Sequence, residues 1–153
     1  MRFTLDANVL VYAVDRDAGT RHDFAAELVH DAARADCVLT LQSLAEFVNV
    51  TTRRRKRPVA EAAGFVDDWI ANIPVHAATT AALSPAMLAV ERHGLAFWDA
   101  MLWAAAREAG CAVMLSEDFQ DGRTLDGVTF VNPFAGRNAV FVAALLGRGQ
   151  AAR

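Results

Sequence analysis

The chain has 153 residues, 54% of them apolar and 22% charged, with a net charge of −3; this excludes a disordered chain and a surface built as a whole to hold nucleic acid. No apolar run approaches the roughly 18 residues that span a bilayer. With no basic-plus-apolar leader before the first structured stretch, a soluble cytoplasmic protein with no membrane association is expected.

The opening stretch FTLDANVLVY, residues 3–12, reads as a buried apolar strand interrupted by Asp6 and Asn8. A charge in such a run costs several kcal/mol unless something neutralises it, so Asp6 needs a partner. TRHDFAAELVHDAARA follows, with Thr20 and Asp23 spaced as a capping box at the head of a helix. CVLTL (37–41) is a second short apolar run. SLAEFVNVTTRRRKR opens on Ser43 and Glu46, again spaced as a capping box, and Pro58 marks its stop. VAEAAGFVDDWIANI runs to Pro74, and a further helix over roughly 80–93 contains Ser84-Pro85. WDAMLWAAAREAG starts at Trp98-Asp99 and stops at Gly110. AVMLS (112–116) and VTFVN (128–132) are two more apolar runs, and a last helix over about 138–147 precedes a tail.

RFTL (2–5), CVLTL, AVMLS and VTFVN have the character of strands buried on both faces, and helical patterns separate them. That alternation favours crossover connections and a parallel sheet, with a helical pair inserted between the second and third strands. With no repeat, linker or composition break, the reading is one α/β domain over 1–147 and a frayed tail over 148–153. Cys37 and Cys111 lie in apolar stretches outside any metal-ligand spacing and read as reduced core residues.

Asp6 follows the first strand and Asp118 the third, so both fall at the carboxyl edge of a parallel sheet, where ligands bind. Glu46 is one helical turn past the second strand, and Asp99 begins the helix before the third. Taken singly, Glu46 and Asp99 read equally well as capping or first-turn acids, and Asp118 as turn chemistry. Together in one cavity they would repel each other and some would be held protonated. Fourteen of the fifteen basic residues are Arg, the one lysine, Lys56, lies in a basic run, and His22, His30, His76 and His93 are scattered. The sequence therefore offers no internal counter-ion beside the acids. A divalent cation resolves the repulsion, and all-oxygen ligands select Mg²⁺ or Mn²⁺ over zinc. Asp6 is then a metal ligand and Asn8 a polar helper beside it.

In order and spacing, LDANVLVYA, SLAEFVNV, LAFWDAMLWAAAREAGC, MLSEDFQDG and the closing VNPF together resemble the PIN domain family, and within it the VapC-type toxin ribonucleases of type II toxin-antitoxin systems. The resemblance covers nearly the whole chain. It implies a PIN-like three-layer α/β/α fold around a central parallel sheet of four or five strands. It also implies an Mg²⁺-dependent endoribonuclease, with Mn²⁺ as substitute, whose acidic quartet is Asp6, Glu46, Asp99 and Asp118. Ser116 matches the hydroxyl residue two positions before the fourth acid, and Glu117 and Asp121 flank that acid and share or replace its role. Ala7 departs from the family, which often carries Thr or Ser there. The resemblance further implies RNA as substrate, a homodimer, and a VapB-type antitoxin whose tail fills the acidic groove.

In the two-metal logic of such sites, Asp6 and Asp99 are the direct ligands, Asp118 a further or water-mediated one, and Glu46 a ligand or the group that orients the attacking water. The run TTRRRKRP (51–58) carries Arg53, Arg54, Arg55, Lys56 and Arg57, read as an RNA-binding patch of which two or three residues face the ligand, or else as cations at a helix end. Trp69 and Trp103 fall in apolar helical patterns and read as core; Trp98, beside Asp99, is the one better placed to meet substrate. A phosphoryl-accepting Asp protein would need a Lys near a strand end, and Lys56 is not there. The remaining alternative is a weak or inactive PIN-like domain kept to bind RNA or a protein, with Ala7 its best argument.

Overall fold

The structure, a computed structural model, describes residues 1–148; the expected frayed tail falls almost wholly outside the described residues. The elements run β1 (Phe3–Leu5), α1 (Ala7–Val14), α2 (Thr20–Ala32), β2 (Leu39–Thr40), α3 (Leu41–Asn49), α4 (Val59–Asn72), β3 (Val75–His76), α5 (Leu83–His93), α6 (Phe97–Glu108), β4 (Val113–Leu115), β5 (Thr124–Leu125), β6 (Val128–Val131) and α7 (Ala139–Leu145). The central sheet has the order β1-β4-β6-β5, parallel except for β5. A parallel β2-β3 pair adjoins it through a bridge between Phe3 and Cys37. The α/β fold with a mostly parallel sheet flanked by helices is as the sequence implied.

The strands are short and buried, and their side chains alternate between two apolar layers. Val113 and Leu115 face a cluster with α1, α2, α3 and α4, and Met114 faces another built from α5 and α6. Trp69 and Trp103 are core residues, and the Trp103 indole N–H donates to Leu125 O. Cys37 and Cys111 are free buried thiols, and burial pushes the pKa of each up, Cys111 to about 11.

Several local expectations are corrected. The apolar opening is a strand only over Phe3–Leu5; Asp6 takes extended backbone angles, its Oδ1 accepts from Ala7 N at 2.6 Å, and a helix begins. That helix buries Ala7, Val9, Leu10, Val11 and Val14, leaving no one-sided stripe to separate it from a strand by pattern. Thr20 is the first residue of α2 rather than its cap, a place taken by Gly19 at φ 62°, and no side chain caps this helix. α3 starts two residues before Ser43, because Thr40 Oγ1 accepts from Ser43 N at 3.0 Å. Glu46 is therefore no capping-box partner of Ser43. After α3 the chain widens into a π turn, Val50–Arg54, where Thr51 and Thr52 hydroxyls return to Phe47 and Val48 carbonyls. The inserted helices of the middle segment enclose β3, which the sequence pattern did not reveal, and β5 is a second added strand.

Candidate active site

Because β1, β4 and β6 are parallel and in register, their carboxyl ends present consecutive residues side by side. Asp6 N donates to Leu115 O and Ser116 N to Val131 O, both at 3.0 Å, extending the ladder one step past the strands. Asp6 and Ser116 therefore emerge as neighbours, and Ser116 Oγ donates to Asp6 Oδ2 at 2.6 Å. Both are buried, Asp6 at 5% exposure.

Asn8, the second residue of α1, spans the gap. Its Nδ2 lies 3.0 Å from Asp118 Oδ2, 3.2 Å from Ser116 Oγ and 3.5 Å from Asp6 Oδ2. Asp118 N donates to Ser116 Oγ at 3.1 Å. Ser116 thus fixes both carboxylate-bearing loops.

Glu46 and Asp99 come from the other wall. Gln42, one turn before Glu46 on α3, donates from Nε2 to Glu46 Oε1 at 2.7 Å and to Trp98 O at 2.8 Å. One amide therefore orients Glu46 and ties α3 to the head of α6, where Asp99 lies in the first turn. Sequence reasoning passed over Gln42; its position one turn before Glu46 was the only signal.

Electrostatics join the walls. Burial raises Asp6 to a pKa of about 6, with the Ser116 and Ala7 hydrogen bonds opposing and the charges of Glu46 and Asp118 adding to the rise. Asp99 is also raised, by burial first and then by Asp118. All four acids thus share one field.

The flanking acids are placed differently. Glu117 accepts from Tyr12 OH at 2.6 Å and pairs with Arg21, whose guanidinium lies 4.8 Å from the Phe134 ring centroid and 5.3 Å from that of Tyr12. Asp121 accepts from Asn132 N and Asn138 and pairs with Arg137, and these contacts, the Asn132 N–H foremost, lower its pKa. Both carry their own cation, Arg21 for Glu117 and Arg137 for Asp121. Asp6, Glu46, Asp99 and Asp118 have no such cation among the described residues.

The basic run divides. Arg55 pairs with Asp15; Arg57 bonds Glu61 at 3.0 Å and Val14 O at 2.8 Å and lies over Phe65. Arg53, Arg54 and Lys56 are exposed and form no ion pair among the described residues, Lys56 at a positive φ of 52°.

Among the described residues, no group of three or more acids, His or Cys stands close enough to hold a metal ion as the side chains lie. The chemistry of the set still fits a hard cation. The donors are all oxygen, two carboxyls are raised by burial and mutual repulsion, and Asn8 Oδ1 is a buried oxygen without a hydrogen-bond partner. Among the described helices none is long and apolar enough to cross a membrane.

A model of the PIN domain family matches residues 3–121. Among solved structures, the chain resembles VapC20 of Mycobacterium tuberculosis, described as a Sarcin-Ricin loop cleaving toxin, at 20% identity and a TM-score of 0.61, over 76% of this chain and 91% of that one. It also resembles VapBC2 from Rickettsia felis bound to a DNA fragment from their promoter, at 12% identity and a TM-score of 0.62, over 86% and 98% of the two chains. DNA-bound VapBC from Salmonella typhimurium matches at 15% identity and a TM-score of 0.62, over 85% and 96%. These are likenesses of fold. A comparison with curated proteins finds no match.

Proposed function

The chain belongs to the PIN domain family, and from that membership we propose that it is a metal-dependent endoribonuclease, Mg²⁺ with Mn²⁺ as substitute, serving as the toxin of a VapBC-type pair in the cytoplasm. The observation that carries this is Asp6, a carboxyl at 5% exposure whose pKa is raised to about 6, by burial first and by the charges of Glu46 and Asp118 in addition. A carboxyl so placed is costly unless a proton or a cation joins it.

On this reading Asp6 and Asp99 hold the cation directly and Asp118 completes the set. When bound, the cation acidifies water and neutralises charge at the phosphodiester. The chain's own residues do the positioning. Ser116 Oγ and the Ala7 N–H donate to Asp6, favouring its anionic form against the effect of burial and holding it in one rotamer. Asn8 sets the distance between Asp6 and Asp118. Gln42 occupies Glu46 Oε1, leaving Oε2 to accept a proton from the attacking water. Glu117, held by Arg21 and Tyr12, and Asp121, held in the Asn132–Asn138 loop, support the loop around Asp118 rather than replace it.

The rival reading, a PIN-like domain kept for binding alone, rested on Ala7. This position meets Asp6 through its backbone N–H, which Thr or Ser would supply equally. Residues 1–147 act as one domain in this proposal, and the fold likeness to VapBC complexes supports a VapB-type antitoxin as partner; a homodimer is proposed from the family resemblance alone.

Incubating purified protein with RNA and Mg²⁺ or Mn²⁺ tests the reading. Cleavage is expected from the parent and absent from Asp6→Asn and Asp99→Asn. Sequencing RNA ends after brief induction in cells, with Asp6→Asn as control, then identifies the target. Equal cutting by the variants and the parent would end the proposal.

A further inference from the structure

We propose that Trp98 is the stacking platform for one unpaired base of the substrate strand. This rests on the ribonuclease reading for the identity of its ligand, and on separate observations for its geometry.

Trp69 and Trp103 are buried at 8% and 2% exposure, whereas Trp98 is 66% exposed. At the head of α6 the Trp98 indole stands in solvent. Its ring packs edge-on to Phe97 with centroids 5.0 Å apart and planes at 68°. Its carbonyl is fastened by Gln42, the same amide that fastens Glu46. The platform is thus two hydrogen bonds from a cleft carboxylate and one residue from another, Asp99. Leu41, beside Gln42, is also exposed.

The chemistry of the surroundings selects the occupant. A cleft of four acids repels a polyanion, and base stacking is a contact at this rim that carries no charge. One turn past the end of α3, the helix that carries Gln42 and Glu46, Arg53 and Arg54 are exposed and unpaired among the described residues. Eleven residues of helix separate Gln42 from Arg53, roughly 16 Å at the helical rise. A flat apolar platform at one end, acids in the middle and free guanidinium groups at the other match a single strand with its base turned out and its next phosphates continuing along α3. A protein partner would not need that alternation.

Trp98 fluorescence tests this directly, since the two other indoles are buried. In an Asp6→Asn background with Mg²⁺ present, a short unstructured RNA oligonucleotide should quench the exposed component saturably. The same RNA annealed to its complement should not. Trp98→Ala should weaken binding about 5- to 150-fold, the range of one base–aromatic stack, and Trp98→Phe should restore part of it. Thermal stability of both should equal that of the parent background. A parent protein that cuts no RNA would sink the ribonuclease reading, while the quenching experiment still decides the platform. Emission unmoved by RNA, affinity unchanged in Trp98→Ala, or burial of Trp98 on raising protein concentration without RNA, which would make a second copy its cover, each overturns the proposal.

Discussion

Ser116 Oγ donates a 2.6 Å hydrogen bond to Asp6 Oδ2 across a sequence separation of 110 residues. The bond favours the charged carboxylate, so its loss matters only where Asp6 is ionised. Ser116→Ala should cost about 1–3 kcal/mol at pH 8 and markedly less at pH 4. Denaturant unfolding of parent and variant at both pH values checks this; an equal cost at the two would mean the hydroxyl serves packing alone.

Asp6 titrates at about 6 in the folded protein, above the ordinary 3.8, so between these values the folded state binds the extra proton. Stability from this group is full below pH 4 and is lost as pH rises through 6, by about 3 kcal/mol in all. In metal-free buffer Asp6→Asn should therefore be more stable than the parent at pH 8, and the gap should close towards pH 4. The raised Asp99 adds a slope of the same sign, which the parent-minus-variant difference cancels. A gap independent of pH would contradict the placement of Asp6.

Divalent cations should compete with that proton. Mg²⁺ or Mn²⁺ should raise the midpoint of thermal unfolding at pH 8 and much less at pH 5, with about 2.7 kcal/mol expected at a hundredfold excess over Kd. Asp6→Asn and Asp99→Asn should lose the effect, measured by calorimetry without any RNA. A shift preserved in both variants places the cation elsewhere.

Arg53→Gln with Arg54→Gln should flatten the salt dependence of RNA binding by about 1.4 in log–log slope if both meet phosphates of a single strand. Arg55→Gln and Arg57→Gln should leave the slope unchanged. They should instead lower stability by up to about 1 kcal/mol, because Asp15, Glu61 and Val14 O hold these side chains. Fluorescence anisotropy across a salt series separates the pairs.

The sequence contains one tyrosine, and Tyr12 donates to Glu117, which raises its pKa above 10, assisted by burial. Phenolate absorbance therefore reports Tyr12 alone. Its midpoint should lie above 10 in the parent and fall in Glu117→Gln; an unmoved midpoint would show that the pair does not persist in solution.

Much was legible in the linear chain. Short apolar runs separated by amphipathic stretches can bury both faces only in a covered parallel sheet, so RFTL, AVMLS and VTFVN indicated the fold class, and parallel strands necessarily bring the residues after them to one edge. Asp6 and Asp118 could be placed on that basis, Ser116 only through the family resemblance, and Trp69 and Trp103 read as core from their apolar helical settings. Cap positions were less legible, since Thr40 and Ser43 are both good caps and only the backbone at the end of β2 chose between them. α1 was hidden because a helix buried nearly all round has no polar face to show its period.

What the sequence determined by itself is the chemistry available: an acid at each of several element ends, a run of arginines, and no cation beside the acids in the chain. Tertiary structure alone decided which charges are already satisfied. Arg21 reaches Glu117, Arg137 reaches Asp121 and Arg55 reaches Asp15, leaving Asp6, Glu46, Asp99 and Asp118 in a shared field and Arg53 and Arg54 exposed. The physical reason is range. Local pattern governs backbone hydrogen bonds a few residues apart, whereas an ion pair depends on the few ångströms between side chains that only the packed elements set.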